Sequence, residues 1–300
     1  MRLLLLLALA LSAQDTRFST DVKLVNVLAS VRDREDRIVK DLTKDDFVLQ
    51  EDGHPQDIRY FTHESDLPLT IGLLVDTSKS QRRALDSERA ASYTFLDQVL
   101  REGRDRAFVV HFDFSVGLLQ DVTPSRDKLR AALDRLRIPL LGSTKLFDAV
   151  KWSAENVMMR QQGRKAFILL SDGGEFRSRA PIVTAIEYAQ RADTIIYSVL
   201  FRDNGAAPNA TMQRRLDAFR AMGVGYMQRL ARETGGGYFE VSEDNPIEKI
   251  YKQIEDELRH QYSIAYTSDQ PEKNSKYRKI LLTTSRKDLV VRTRDGYYAR

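Results

Sequence analysis

Three kinds of hydrophobic patterning succeed one another along the chain. From residue 18 to residue 62 apolar and polar positions alternate. Val25, Val27, Ala29 and Val31 share one face of a stretch rich in β-branched residues, which predicts a strand with one side buried. Short strands are expected at Ile38-Val39, Phe47 to Leu49 and Ile58 to Phe61. The charged run Asp33 to Arg37 and the pair Asp52-Gly53 mark turns. Pro68 opens the second pattern. Leu69 to Val75 is apolar without alternation, as a strand buried on both faces of a parallel sheet requires. Further strands are expected at 106–112, 116–122, 166–171, 194–201 and 238–241. Helices are expected at 81–101, 125–136, 147–159, 182–191 and 225–233.

This rhythm predicts an α/β fold, a doubly wound and mostly parallel sheet with helices on both faces. Asn245 is expected to cap the closing helix, with Pro246 at its first position and Glu248 closing a capping box. Ile247, Ile250, Tyr251, Ile254 and Leu258 form its apolar stripe. Trp152, Tyr188 and Phe219, on helical stretches, are assigned to the core. The polar loop Arg202 to Thr211 reads as surface or as rim of a site.

In the third pattern Tyr262 to Tyr266 alternates again, and Tyr277 to Ser285 and Leu289 to Thr293 read as strands. Neither flank has enough strands to be stable alone. The economical reading pairs residues 18–62 with 260–300 in one β module beside the α/β part. The expected division is 1–13 as a leader, 14–67 as an N-terminal β segment, 68–258 as the α/β domain and 259–300 as a C-terminal β segment.

Composition narrows the function classes. At 42% hydrophobic and 30% charged over 300 residues, the chain is ordinary for a globular protein. Its 47 basic and 43 acidic residues nearly cancel and form no concentrated basic stripe, so no nucleic-acid partner is expected. Met1-Arg2, the apolar run Leu3 to Leu11 and Ser12-Ala13-Gln14-Asp15 have the layout of a secretory signal cut after Ala13. The mature protein is therefore expected in the periplasm or outside the cell. That run is about half the roughly 20 residues a spanning helix needs, and no transmembrane segment is expected. Cysteine is absent, which removes disulfides and a lipid-bearing cleavage site. The four His residues show no ligand spacing.

The candidate chemistry lies in Asp76-Thr77-Ser78-Lys79-Ser80, directly after the first buried strand. Open α/β sheets bind ligands at the carboxyl ends of their strands. Asp76, Ser78 and Ser80 offer one carboxylate and two hydroxyls, hard oxygen ligands suited to Mg²⁺. Thr144, in Gly142-Ser143-Thr144 before a helix, could add a third hydroxyl, and Asp172, in Ser171-Asp172-Gly173 after a strand, a second carboxylate. Few protein charges would leave such a metal able to take one more anionic oxygen.

The order D-x-S-x-S, then G-x-T before a helix, then a strand ending in S-D-G, resembles the von Willebrand factor type A domain with its metal-ion-dependent adhesion site. Leu230 to Gly236 is similar to that family's last helix and turn. The resemblance spans roughly residues 68–258 and implies that Asp76, Ser78, Ser80, Thr144 and Asp172 hold Mg²⁺ or Mn²⁺. Lys79 and Arg82 lie beside them as candidate partner-binding residues. The flanks resemble a bacterial exported subfamily through Val31-Arg32-Asp33, Leu42 to Phe47, Glu51-Asp52-Gly53 and Asp295 to Tyr298. Relatives often have Gly in the first turn, where this chain has Glu35-Asp36. The flank motifs are expected to be structural.

The function implied is an exported, non-enzymatic binding or adhesion protein whose metal takes an Asp or Glu of a protein partner. Two other classes compete. One is a structural envelope subunit with an unused site. The other is a Mg²⁺-dependent phosphatase-like hydrolase with Asp76 as nucleophile, and it is weakened because Ser78 stands where a second carboxylate is wanted. A Ser-His triad lacks any supporting pattern around Ser78.

Overall fold

The structure, a computed structural model, describes residues 24–63, 67–140, 142–201, 209–269 and 277–299. The leader reading at 1–13 and residues 202–208 of the polar loop lie outside the described residues.

The N-terminal segment supplies β1 (Leu24–Arg32), β2 (Phe47–Glu51), the two-residue β3 (His54–Pro55) and β4 (Ile58–His63). The alternating part follows as β5 (Leu69–Asp76), α1 (Leu85–Val99), β6 (Arg106–Phe112), β7 (Val116–Thr123), α2 (Arg126–Leu133), α3 (Leu146–Asn156), β8 (Arg164–Ser171), α4 (Ile182–Arg191), β9 (Thr194–Leu200), α5 (Ala210–Thr234), β10 (Tyr238–Glu240) and α6 (Ile247–Arg259). The chain then returns through β11 (Tyr262–Thr267), β12 (Tyr277–Thr284), β13 (Val290–Thr293) and β14 (Gly296–Tyr298).

The central sheet has the order β10-β9-β8-β5-β6-β7. It is parallel except at its β7 edge, which runs antiparallel to β6. Every residue of β5, β8 and β9 is buried, because helices cover both faces. Leu69, Ile71, Leu73 and Val75 pack with α1, α2 and α6, whereas Leu74 packs with α3, α4 and α5 on the other side. The doubly wound reading holds.

Three local expectations change. The helix expected from residue 81 begins as a 3₁₀ turn, Lys79–Arg83, and becomes α-helical only at Leu85. The helix expected from Gly225 starts at Ala210, capped by the Asn209 side chain, which accepts from Met212 N at 2.9 Å. Residues 210–222 are strong helix formers but show no apolar period of the length the core would impose. Pro246 is extended (ψ 158°) and is itself the cap residue of α6, which has no side-chain cap bond. Asn245 lies outside the helix, its amide donating to Glu240 O at 3.1 Å. The stripe Ile247, Ile250, Tyr251, Ile254 and Leu258 is buried as expected.

The two flanks pair. One sheet runs β13-β1-β11-β4 and the other β14-β12-β2-β3, closing over a core that includes Val27, Val31, Leu49, Tyr262, Ile264 and Tyr266. The expected strand Ile38-Val39 is reduced to a single bridge, Arg32↔Ile38. The flank motifs serve this module. Asp52 and Gly53 both take positive φ (48° and 86°) in the turn between β2 and β3. Asp36 takes φ 61° without glycine, a conformation Asp tolerates. Glu51 is fully buried and accepts from the Tyr266 hydroxyl (2.5 Å), Ser268 Oγ (2.5 Å), Arg278 Nη1 (2.6 Å) and the Tyr297 hydroxyl (2.9 Å). These bonds hold its carboxyl below the usual range against the opposing effect of burial. The module joins the α/β part through buried Glu257 of α6, which is bonded by Arg32 of β1 at 2.8 Å and by Arg292 of β13.

Candidate metal centre

Val75 of β5 pairs with Leu170 of β8 in parallel register, so the turns that follow the two strands are neighbours at one end of the sheet. Asp76 ends β5 and is fully buried. Its Oδ1 accepts from Ser78 N at 2.8 Å and its Oδ2 from Ser171 Oγ at 2.6 Å. The first bond folds the loop back on the carboxylate and leaves Ser78 Oγ and Ser80 Oγ 2.9 Å apart. Asp172 repeats the device, its Oδ1 accepting from Gly174 N at 2.8 Å. Gln81 joins the turns: with its amide oriented to satisfy both neighbours, it accepts from Asp172 N at 2.8 Å and donates to Glu88 Oε1 at 2.9 Å.

Charge concentrates here. Burial first, and then the charge of Asp172, push the Asp76 carboxyl up to about 7, against the downward pull of its bonds from Ser171 and Ser78. Glu88 is completely buried, and burial together with Asp76 and Asp172 holds its carboxyl well above the ordinary range. Buried carboxyl groups set against neighbouring acids are stabilised by a cation between them. Two carboxylates and a set of hydroxyls are hard oxygen donors that suit Mg²⁺ or Mn²⁺. The residues present therefore fit a divalent metal.

Thr144 is buried just before α3. It is drawn to the Asp172 turn through its backbone: Phe176 N donates to Thr144 O at 2.8 Å and Thr144 N to Phe176 O at 3.3 Å. Ser143 Oγ adds a bond to Phe176 O at 2.8 Å. Among the described residues no hydrogen bond joins the Thr144 hydroxyl to the Asp76 loop. A third strand end is tied in by Asp113, which accepts from Thr77 Oγ1 at 2.8 Å and whose carbonyl accepts from Lys145 N at 3.0 Å. Lys79 is exposed, its Cδ 3.8 Å from where a methyl group on Gly142 would lie, and Arg82 is exposed one turn away.

The turn after Asp172 has a strict backbone requirement. Gly173 has φ +78°, and a methyl group there would lie 2.5 Å from Gly223 O in α5. Sequence reasoning missed Ser171, Gln81 and Glu88. Glu88 carried a usable signal, since it falls on the same helical face as Leu85, Ser92, Phe95 and Val99 of α1, all buried. Phe219, assigned to the core, is instead 42% exposed on the early part of α5.

No family model matches the chain, and no curated protein does. Solved structures do. Proximal thread matrix protein 1 from the mussel byssus aligns at TM-score 0.51 and 13% identity, over 70% of this chain and 51% of that one. A second crystal form of it aligns at 0.52 and 13% identity, over 70% and 50%. A form described with a zinc-occupied MIDAS motif aligns at 0.49 and 14%, over 70% and 50%. The chain thus spans about half the length of the mussel protein. At such identity the likeness concerns architecture: a mixed α/β body with a mostly parallel six-stranded sheet, von Willebrand factor A-like in fold.

Proposed function

We propose that this is a metal-dependent binding protein in which Asp76, Ser78, Ser80, Thr144 and Asp172 hold Mg²⁺ or Mn²⁺ and a protein partner's Asp or Glu completes the shell. The observation that carries the reading is the pair of carboxylates, Asp76 and Asp172, brought from adjacent parallel strands into mutual repulsion amid serine hydroxyls. The bound cation would neutralise that pair and keep a position for one outside anionic oxygen. The chain's own residues do the rest. Ser171 and the Ser78 amide orient Asp76, Gln81 locks the Asp172 turn, and Phe176 anchors Thr144.

The role is binding rather than catalysis. Ser78 is bonded to Asp76 and Ser80 and stands where phosphoryl chemistry on Asp76 wants a carboxylic acid. Export to the periplasm or the exterior is part of the same proposal and is motivated by the leader-like residues 1–13.

The test is a calorimetric titration of Mg²⁺ and Mn²⁺ into chelator-treated full chain, with and without excess succinate as a carboxylate source. The expected result is one-to-one binding that Asp172→Ala abolishes. No saturable binding at millimolar metal in either buffer overturns the reading.

A further inference from the structure

Helix α5 contains a long, largely exposed stretch. None of residues 210–222 is buried; the first buried residue of the helix is Gly223. Here the uncovered stretch carries an apolar stripe, Met212, Leu216 and Phe219, at the spacing that puts side chains on one face. Met212 is 53% exposed and Phe219 42%.

The stripe leads to the metal centre. It runs into Gly223, whose backbone abuts Gly173. A methyl group on Gly174 would lie 3.6 Å from Phe219 Cε1, and the Gly174 amide is the one bound by Asp172. Across the site Phe176 is 54% exposed, beside Thr144 and under the Arg177 guanidinium at 5.2 Å. Exposed Lys79 adds a second cation on the Asp76 loop. Apolar surface and positive charge thus meet at the carboxylates.

We propose that the stripe on α5, with Phe176, is the specificity half of the partner surface. Its occupant is a protein segment presenting an Asp or Glu flanked by large apolar side chains. The acidic group is complementary to the metal site, Lys79 and Arg177, and its apolar neighbours cover Met212, Leu216 and Phe219. From Met212 to Phe219 the helix advances about 10 Å, the reach of three extended residues. This inference rests on the metal-dependent reading above.

The test uses fluorescence anisotropy with the full chain and labelled nonapeptides carrying one central Glu, flanked either by Leu and Phe or by Ser. In Mg²⁺ the apolar-flanked peptide is expected to bind at least tenfold more tightly, and chelator or a central Gln removes the binding. Changing Met212→Ser and Phe219→Ser together is expected to erase the preference while leaving the Mg²⁺ titration and circular dichroism unchanged. Phe219→Leu keeps the preference. Equal affinity for both peptides, or no binding of either, overturns the stripe and leaves the metal reading to its own titration. Apolar-flanked binding that survives chelator overturns the link between stripe and site. A concentration-dependent dimer lost in the double variant shows a second copy on the stripe and overturns the proposed occupant.

Discussion

At the scale of single residues the site is a balance held against itself. Asp76 is buried beside another acid, so its folded-state pKa of about 7 exceeds the ordinary value of about 3.9. A raised carboxyl pKa means that the folded state binds the proton more tightly. Without metal, this group's stabilising contribution is full below about pH 4 and is lost as the pH rises through about 7. Melting curves in chelator should therefore fall between pH 5 and pH 8. Saturating Mg²⁺ should restore the loss, with its largest effect above pH 7; a metal effect equal at pH 5 and pH 8 contradicts this account. For the same reason Asp172→Asn should raise the metal-free melting temperature, by roughly 2–4 °C per kcal/mol of repulsion relieved, and abolish the shift with Mg²⁺. Differential scanning fluorimetry of both proteins with and without metal checks the paired outcome. The metal-site candidates were legible because their spacing after apolar strands is written in the sequence. Ser171 and Gln81 were not, because their roles depend on which strands become neighbours and on which way a side chain turns once buried; Glu88 shows its burial through helical spacing but not its neighbours.

At the scale of elements, the pairing of α5 with the β8 turn is the most exacting contact. Gly173 and Gly223 meet backbone to backbone, and a methyl group on Gly223 would approach Gly173 carbonyl atoms to 2.9 Å. Gly223→Val should push the helix away from the Asp172 turn and weaken Mg²⁺ binding about tenfold, read by calorimetric titration, while the fold persists. Unchanged affinity would mean that the turn does not depend on the helix. Strands were the easiest elements to read: β5, β8 and β9 announce double-sided burial through their unbroken apolar runs. Helix α5 was the hardest. Its first half carries only the sparse stripe Met212, Leu216 and Phe219 and none of its residues is buried, so propensity and the Asn209 cap are the stronger signals.

At the scale of the whole molecule, the flanks behave as one structure although they lie at opposite ends of the sequence. Glu51 is the clearest case: four donors from β11, β12, β14 and the segment after β11 converge on it. Glu51→Ala would remove the acid that buried Arg278 and the Tyr266 and Tyr297 hydroxyls bond. Losing one partner of a buried ion pair costs about 3–5 kcal/mol, so the denaturant midpoint should drop sharply while the metal site, on another sheet, keeps its affinity once folded. The pairing of the two flanks could be read from strand counting, since neither end can close a module alone. The junction at Glu257 could not, because an acid on the buried side of an otherwise apolar helix face announces no partner.

The interleaving of the two ends also sets an order of events during synthesis. Ala29 pairs with Tyr262, and Val31 with Val291, so the first strand made must wait for nearly the last. The strands of the central sheet, by contrast, follow one another closely in sequence, and short-range contacts form sooner than long-range ones. The α/β body should therefore be complete while β1 and β4, whose strand partners are β11 and β13, still trail unpaired, a window in which they are open to misassembly. Pulsed hydrogen exchange during refolding should find β5 and β8 amides protected before those of β1. The half of the protein that carries the candidate metal centre is thus ready before the chain that frames it has closed.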